Sequence, residues 1–409
     1  MKKRIISYIS ALLTAVLLTG CAASGGGASK PAESPEISAP AASGPTAEPT
    51  EEPTPEPTPD PTPEPTEEPA LTLAKELLAG MSLKEKAGQM IMARCPGDTA
   101  PQIAAQYALG GYVMFGVDFE NKSAQQVTDD ITAIQASAKL PMLISVDEEG
   151  GTVNRVSSNP QLRDSRFMSP KKLFETGGWD SIAFDTREKC ALLSSLGINV
   201  NLAPVCDLAS EGSFMYDRSF SPDAEETSRY VKTVVEIMTE NSMGSALKHF
   251  PGYGDNVDTH TGSALDERSY ESFVNSDFLP FKAGIEAGAG SVMVNHNVVA
   301  CMDDERPASL SPEVHRVLRE ELGFQGVILT DDLDMDAITE FAAASGLSPY
   351  VLAVQAGNDM LCCGDYETAA TDVINAVTDG TLTEERLDES VLRILLWKIQ
   401  LGLIEPGLD

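Results

Sequence analysis

Between residues 88 and 363, short apolar segments alternate with amphipathic ones, and this alternation limits the possible folds more than any other feature of the chain. Short, almost continuous apolar runs are typical of strands buried on both faces, and the segments between them repeat their apolar residues at helical spacing. Strands that alternate with helices form a parallel sheet. About eight such units over this length predict an α/β fold of the (β/α)8 TIM-barrel type.

The alternative is an open, doubly wound sheet, but no glycine-rich phosphate loop follows the first predicted strand. The predicted strands are Gly88–Cys95, Gly111–Phe115, Pro141–Asp147, Asn199–Asp207, Gly244–His249, Ser291–Val298, Gly326–Thr330 and Asp359–Cys363. The predicted helical segments are Ser123–Lys139, Thr186–Gly197, Ala224–Asn241, Phe273–Ala287 and Ser311–Leu322.

The N-terminus has the pattern of a bacterial export signal. Basic residues 2–4 precede an apolar run, residues 5–18, that is shorter than the roughly 20 residues needed to span a bilayer. The run ends in Leu-Thr-Gly-Cys, which resembles a lipobox, so residues 1–20 are predicted to be a lipoprotein signal peptide and Cys21 its lipidation site. The alternative is an ordinary secretory signal with an incidental cysteine. The pattern predicts an extracytoplasmic protein that is lipid-anchored to the cell membrane.

Residues 21–69 are predicted to be a disordered linker. Their second half, EEPTPEPTPDPTPEPTEEP, contains no residue that a core could bury, and alternating prolines favour an extended polyproline II chain. We interpret this segment as a stalk between the membrane and the folded domain, with a Pro-rich protein ligand as the alternative. Residues 70–409 are predicted to form one domain.

Charge and cysteine content exclude some functional classes. The formal net charge of -33 argues against nucleic acid as a partner, because a phosphate binder needs clustered Lys and Arg. No CxxC pair indicates a zinc site. Cys206 and Cys301 lie in or beside apolar runs, so both are predicted to be small buried residues rather than disulfide partners.

Unusual polar residues occur where the predicted strands end. Asp147 ends the third strand, Lys248 and His249 end the fifth, His296 ends the sixth, and Asp331 ends the seventh. In a parallel barrel these ends share one face, where active sites are built. A single charged residue at this face could be an ordinary residue of the barrel rim, but several together predict a functional site there.

The histidines permit a metal site as an alternative. His249, His260 and His296 lie at this face or its loops, whereas His315 is predicted to occupy a solvated helix position. The first strand, GQMIMARC, lacks the paired histidines of metal-dependent barrel hydrolases, and the charge of Lys248 opposes a cation. The sequence therefore predicts no metal, and no nucleotide fingerprint indicates an organic cofactor.

Four segments together resemble the β-N-acetylhexosaminidases of glycoside hydrolase family three. KHFPGYGDNVDTH at 248–260 resembles the family signature, and DEEGGTVNR at 147–155 resembles its DQEGGRVxR block. NLAPVCDL with YDRSF resembles its fourth-strand block, and LTDDLDM resembles its nucleophile strand. These blocks occur in the family's order, and the resemblance covers roughly residues 71–404.

The resemblance implies roles for individual residues. Asp331 matches the nucleophile, His260 the acid/base, and Asp258 the partner of the acid/base. The residues that match those holding the terminal sugar are Asp147, Arg155, Arg218, Lys248 and His249. The chain departs from the family pattern at Glu148 (usually Gln), Thr152 (usually Arg), Tyr253 (usually His) and Thr259 (usually Ser).

The implied chemistry fits these residue types. Glycosidic cleavage needs one group to attack and another to protonate the departing oxygen, and imidazole can both give and regain a proton near neutrality. Asp332 is predicted to face away from Asp331, because side chains alternate along a strand. Local turn capping is the alternative role for Asp258.

The resemblance implies an exo-acting, retaining β-N-acetylhexosaminidase that releases terminal N-acetylglucosamine from a glycan, with a muropeptide as one possible substrate. A β-N-acetylglucosaminide phosphorylase or a β-glucosidase of the same family is the enzymatic alternative. Many of those glucosidases take their acid/base from a second domain, for which this chain has no room. A non-catalytic glycan-binding lipoprotein is the alternative from another class.

Overall fold

The computed structural model describes residues 68–259 and 262–405, and eight parallel strands form its central sheet. Each predicted strand segment overlaps one of them, so the predicted series of strands is confirmed. In chain order the strands are β1 (Ile91–Arg94), β2 (Gly111–Met114), β3 (Leu143–Val146), β4 (Val200–Asn201), β5 (Gly244–Phe250), β6 (Ser291–Val294), β7 (Val327–Thr330) and β8 (Leu361–Cys363).

The sheet closes on itself. Its strands pair in parallel in the order β7-β6-β5-β4-β3-β2-β1-β8. The first and last strands of this order meet at a parallel bridge between Leu329 and Met360, and the amide of Met360 donates to the carbonyl of Ile328 at 3.0 Å. The predicted barrel is therefore confirmed, and the open doubly wound alternative is wrong.

Helices follow the barrel strands along the chain. They span Pro69–Ala79, Leu83–Gln89, Ala100–Tyr107, Gly116–Phe119, Ala124–Ser137, Pro170–Ser195, Ala224–Glu240, Tyr270–Asn275, Phe278–Glu286, Pro312–Arg316, Asp336–Ser345, Pro349–Ala356, Tyr366–Thr378 and Glu384–Gln400, with a π-helical turn at Val317–Glu321 and 3₁₀ turns at Gly97–Thr99 and Ala308–Leu310. Two short strand pairs lie outside the barrel, Glu148–Gly150 with Val153–Asn154 and Leu265–Asp266 with Val298–Val299.

Local chemistry explains where these elements begin and what they bury. Every residue of β2, β3 and β5 is buried, as expected for strands covered by side chains inside the barrel and by helices outside it. Ser123 begins one helix with a capping box, in which its amide donates to the side chain of Gln126 at 2.9 Å. The residue just before β2, Gly110, must be a glycine, because a Cβ there would lie 2.0 Å from the carbonyl oxygen of Gln89.

Two details of the sequence analysis are wrong. His315 is buried, not solvated, because its helix packs on the end of Pro349–Ala356, where Gly357 leaves room for the imidazole. Cys301 is exposed, because the apolar strand ends at Val299 and the chain turns outward, whereas Cys206 is buried as predicted.

Two predicted helical segments also differ from the structure. The segment Phe273–Ala287 belongs to two separate helices, because the backbone leaves helical geometry at Ser276. Thr186–Gly197 is the second part of a longer helix that is broken at Gly178. Among the described residues, no single helix is long and apolar enough to cross a membrane, and only the bent pair Asp336–Ser345 and Pro349–Ala356 passes that test jointly.

Candidate active site

A pocket of about 140 Å³ opens at the carboxyl ends of the barrel strands. All five predicted sugar-binding residues line it together with Asp331, so the structure brings these six residues to one place. The pocket is lined by Val113, Phe115, Asp147, Glu149, Val153, Arg155, Leu202, Phe214, Arg218, Lys248, His249, Tyr253, Met293, Asp331, Asp332 and Cys362.

A buried ion-pair network forms one wall of the pocket. The ammonium of Lys248, at the end of β5, lies 2.6 Å from carboxylate oxygens of both Asp147 and Glu149. The guanidinium of Arg218 donates two hydrogen bonds to Glu149, at 2.8 and 3.0 Å. Because each charge is held by neighbours of opposite sign, the polar groups are fixed in position before any ligand arrives.

Glu149 joins the two cations of this network. Burial alone would raise the pKa of Glu149, but the guanidinium of Arg218 and the ammonium of Lys248 hold that pKa well below its ordinary value. The carboxylate is therefore ionised at neutral pH. Sequence reasoning did not select Glu149. It lies two residues after Asp147 in the same motif, and residues two apart on a strand point to the same face, so this spacing could have identified it.

Glu148 anchors the loop that carries Arg155. Its buried carboxylate accepts hydrogen bonds from the amides of Arg155 at 2.9 Å, Val156 at 2.7 Å and Ser157 at 3.3 Å, and from the Ser157 hydroxyl. These bonds fix the short strand pair after β3. One guanidinium nitrogen of Arg155 lies 4.0 Å from a carboxylate oxygen of Asp147 at the pocket.

Asp207 orients His249. Its carboxylate accepts from the amide of His249 at 3.1 Å and lies 2.7 Å from Nδ1 of the same residue. Arg218 approaches Nε2 of His249 at 3.2 Å and has only N–H donors to offer. When the ring is neutral, this geometry places its proton on Nδ1 and leaves Nε2 to accept, so Asp207 sets the tautomer. The sequence placed Asp207 at a strand end but did not identify this contact.

Asp331 directly follows β7, and its amide donates to the carbonyl of Val294 on β6 at 2.9 Å. Burial alone would raise the pKa of Asp331, but the nearby His249 and His296 and the amide of Asp332 lower that pKa below its ordinary value. The carboxylate is thus ionised at neutral pH, as attack on an electrophilic carbon requires.

The prediction that Asp332 faces away from Asp331 is wrong. Both residues line the pocket, because β7 ends at Thr330 and the alternation of side chains ends with it. The Asp332 carboxylate accepts a hydrogen bond from Nε of Arg94 at 2.7 Å, and burial raises its pKa. The resulting pair with Arg94 distinguishes Asp332 from Asp331.

Another histidine predicted at this face, His296, is buried and hydrogen-bonded. Its Nδ1 lies 2.8 Å from the Ser309 hydroxyl, and its Nε2 lies 2.9 Å from the carbonyl oxygen of Asp332, to which it can donate. Among the described residues, no group of three His, Cys, Asp or Glu side chains is placed to hold a metal ion.

The predicted acid/base loop is described in part. Asp258 is half-buried, whereas His260 lies outside the described residues, as does the predicted lipidation site Cys21. Burial, and then the carboxylates of Asp331 and Asp258, raise the pKa of Tyr253 to about 12, although hydrogen bonds from Thr259 oppose this shift. Both carboxylates are therefore close enough to act on one phenol at the pocket.

Glu149→Gln is expected to lower the free energy of unfolding by about 3 kcal/mol, because it leaves the buried cations Arg218 and Lys248 without their shared counter-charge. Urea unfolding at pH 7 measures the change. Glu286→Gln, at an exposed helix end, is the matched control and is expected to stay within about 0.5 kcal/mol of the unsubstituted protein. Equal stability of the two variants would contradict the prediction.

Comparison with known proteins identifies relatives over most of the described chain. A family model described as "Glycosyl hydrolase family 3 N terminal domain" matches residues 82–396. A β-hexosaminidase of Stenotrophomonas maltophilia is 37% identical over 239 residues, which cover 56% of this chain and 69% of that protein. A β-hexosaminidase of Xanthomonas campestris is 33% identical over 285 residues, covering 68% of this chain and 84% of its own length.

The fold is also similar to a solved structure. A glycoside hydrolase family 3 β-N-acetylglucosaminidase from a Paenibacillus species superposes with a TM-score of 0.73 at 29% sequence identity. The match covers 80% of this chain but 65% of that protein, so the two share the barrel while the relative is longer.

Proposed function

Because a family model matches well over half of its length, this chain belongs to glycoside hydrolase family 3, and we propose that it is an exo-acting, retaining β-N-acetylhexosaminidase. One observation carries the proposal: the ionised Asp331 shares a pocket with Asp147, Arg155, Arg218, Lys248 and His249. The relatives named β-hexosaminidase and β-N-acetylglucosaminidase support N-acetylglucosamine as the sugar released.

In the first proposed step, Asp331 attacks the anomeric carbon of the terminal sugar. A bond forms between its carboxylate oxygen and the anomeric carbon, the bond to the leaving oxygen breaks, and that oxygen takes a proton from His260. The depressed pKa of Asp331 keeps the attacking group ionised. The attachment of Asp331 at the end of β7 holds it rigidly for attack.

In the second step, His260 takes a proton from water while the water oxygen attacks the anomeric carbon and displaces the Asp331 carboxylate. Two displacements at one carbon retain its configuration. Asp258 is proposed to hold His260 in the tautomer that this exchange needs.

The ion-pair wall is proposed to bind the sugar hydroxyls. Asp147 offers carboxylate oxygens as acceptors, and Lys248 and Arg155 offer N–H donors beside it. Since these side chains already satisfy one another, little ordering is needed when a sugar arrives. The small pocket of about 140 Å³ with this charged wall suits one terminal sugar rather than an internal segment of a glycan.

The location and natural substrate are proposed from the sequence. The lipobox-like Leu-Thr-Gly-Cys supports export and a lipid anchor on Cys21, and residues 21–69 support a stalk that holds the barrel away from the membrane. A glycan outside the cytoplasm, such as a muropeptide, is then the accessible substrate class. The net charge of -33 supports the absence of a nucleic-acid partner.

A comparison of substrates tests the proposed function. The protein is expected to release nitrophenol from 4-nitrophenyl N-acetyl-β-glucosaminide at least about tenfold faster, in kcat/KM, than from the corresponding glucoside, because the pocket is proposed to use the acetamido sugar for binding energy. The rate is expected to be unchanged by phosphate, and the first product observed by NMR should be the β-anomer. Faster turnover with phosphate and a sugar phosphate product would instead identify a phosphorylase.

A further inference from the structure

Tyr253 and Thr259 form a closed hydrogen-bonded contact beside the pocket. The phenol oxygen of Tyr253 accepts from the amide of Thr259 at 2.9 Å and lies 2.7 Å from the Thr259 hydroxyl. Tyr253 is 3% exposed and Thr259 is 0% exposed, so water competes little with these bonds. Five residues lie between the two partners in the chain, and the contact therefore joins the two ends of a loop.

The Tyr253 end of this loop is fixed to the barrel. The amide of Tyr253 donates to Asp207 at 2.7 Å, and Asp207 also holds His249 at the pocket wall. The Tyr253 ring packs edge-on against His249, with 5.9 Å between ring centroids. Tyr253 is thus rigid relative to the sugar-binding residues.

The Thr259 end carries the proposed proton-transfer residues, since Thr259 lies between Asp258 and His260 in the sequence. The intervening residues are less enclosed, because Asp255 and Val257 are exposed. Asn256 is held separately, by a hydrogen bond of 2.8 Å to Asp266. Among the described residues, the Tyr253 phenol links Thr259 directly to the pocket wall.

We propose that Tyr253 is a positioning residue for proton transfer: its hydroxyl holds the backbone of Thr259 and thereby sets the position of the adjoining acid/base pair relative to Asp331. The proposal rests on the proposed function of His260. It assigns to Tyr253 no contact with the reacting atoms. Loss of the hydroxyl should weaken protonation of the leaving group and leave attack by Asp331 intact.

The test compares leaving groups, because an acidic phenol departs without a proton whereas a sugar alcohol needs one. In Tyr253→Phe, kcat/KM for N,N′-diacetylchitobiose is expected to fall about thirtyfold, which is part of the roughly 10²–10⁴-fold that a general acid contributes, because the acid is displaced rather than removed. With 2,4-dinitrophenyl N-acetyl-β-glucosaminide, kcat/KM should fall less than about threefold. Tyr107→Phe, which deletes the same atom from a half-buried tyrosine at the end of the helix Ala100–Tyr107, is the matched control and should change neither value.

A double-mutant cycle supplies the second readout. Thr259→Val removes only the hydroxyl partner, and the Tyr253→Phe/Thr259→Val protein is expected to lose no more than Tyr253→Phe alone, because the contact that Thr259→Val removes is already lost in Tyr253→Phe. Additive losses in the two variants would overturn the inference, as would an equal loss on both substrates. If the unsubstituted protein cleaves neither substrate, the proposed function itself fails; activity with an equal loss in Tyr253→Phe refutes only the role of Tyr253.

Discussion

Asp331→Ala is expected to lower kcat/KM for every β-N-acetylglucosaminide by about 10⁴-fold, because it removes the carboxylate proposed to form the covalent bond. The loss should be similar for nitrophenyl substrates and for disaccharides, since attack is needed whatever group departs. Initial rates with both substrates measure it. Asp336→Ala, at an exposed helix start five residues further on, is the matched control and should stay within a few-fold of the unsubstituted enzyme.

Azide distinguishes a lost nucleophile from a damaged pocket. In Asp331→Ala the small anion can occupy the space of the deleted carboxylate and attack a dinitrophenyl substrate directly. One displacement inverts the anomeric carbon, so the product should be the α-glycosyl azide. A variant that retains activity within tenfold of the unsubstituted enzyme, with β-configured product, would contradict the assignment of Asp331.

Lys398→Met is expected to remove a large pH dependence of stability. Lys398 is 0% exposed, and its ammonium donates to the side-chain oxygen of Gln89 at 2.7 Å, with no carboxylate in salt-bridge range among the described residues. Burial lowers the pKa of Lys398 from 10.5 to about 7. Between pH 7 and pH 10.5, Lys398 keeps its proton in the unfolded chain but has lost it in the folded protein. The unsubstituted protein therefore gains stability as the pH rises through this window.

The expected size follows from the pKa difference. The buried charge destabilises the folded protein fully below pH 7, and the penalty disappears by pH 10.5, a change of about 5 kcal/mol. Methionine cannot be protonated, so the stability of Lys398→Met minus that of the unsubstituted protein should fall by about this amount across the window. Urea unfolding at intervals of half a pH unit measures the difference, and Lys172→Met, at an exposed position, is the control. A flat difference would contradict the prediction.

The barrel was predictable because its strands are buried on both faces and therefore read as apolar runs. Their ends were predictable to within four residues, except that β4 ends at Asn201 rather than at Asp207. For example, β1 begins at Ile91 because Gly88 and Gln89 belong to the preceding helix. The clustering of Asp147, Lys248, His249 and Asp331 followed from topology, because parallel strands end on one face.

The errors arise where distant contacts override local pattern. His315 carries a polar ring in an amphipathic segment, and only its packing on Gly357 buries it. Asp332 lies beyond the strand end, where alternation stops, and its pairing with Arg94 depends on a residue 238 positions earlier. No periodicity in the sequence carries such information.

Tyr253 and Thr259 show a related limit. The sequence identified both as separate departures from the family pattern, and the structure shows that they hydrogen bond to each other. Glu149 and Asp207 were visible at strand ends, but their partners became apparent only when Arg218 and His249 were located.

The most direct test of the central claim is to trap the glycosyl-enzyme. 5-Fluoro-N-acetylglucosaminyl fluoride should react because fluoride leaves without a proton, while the ring fluorine slows the second step by destabilising positive charge at the anomeric carbon. Intact mass spectrometry is predicted to show one added sugar, and peptide mapping should place it on Asp331, with no adduct in Asp331→Ala. A stable adduct on any other side chain, or no adduct together with an inverted product, would contradict the assignment.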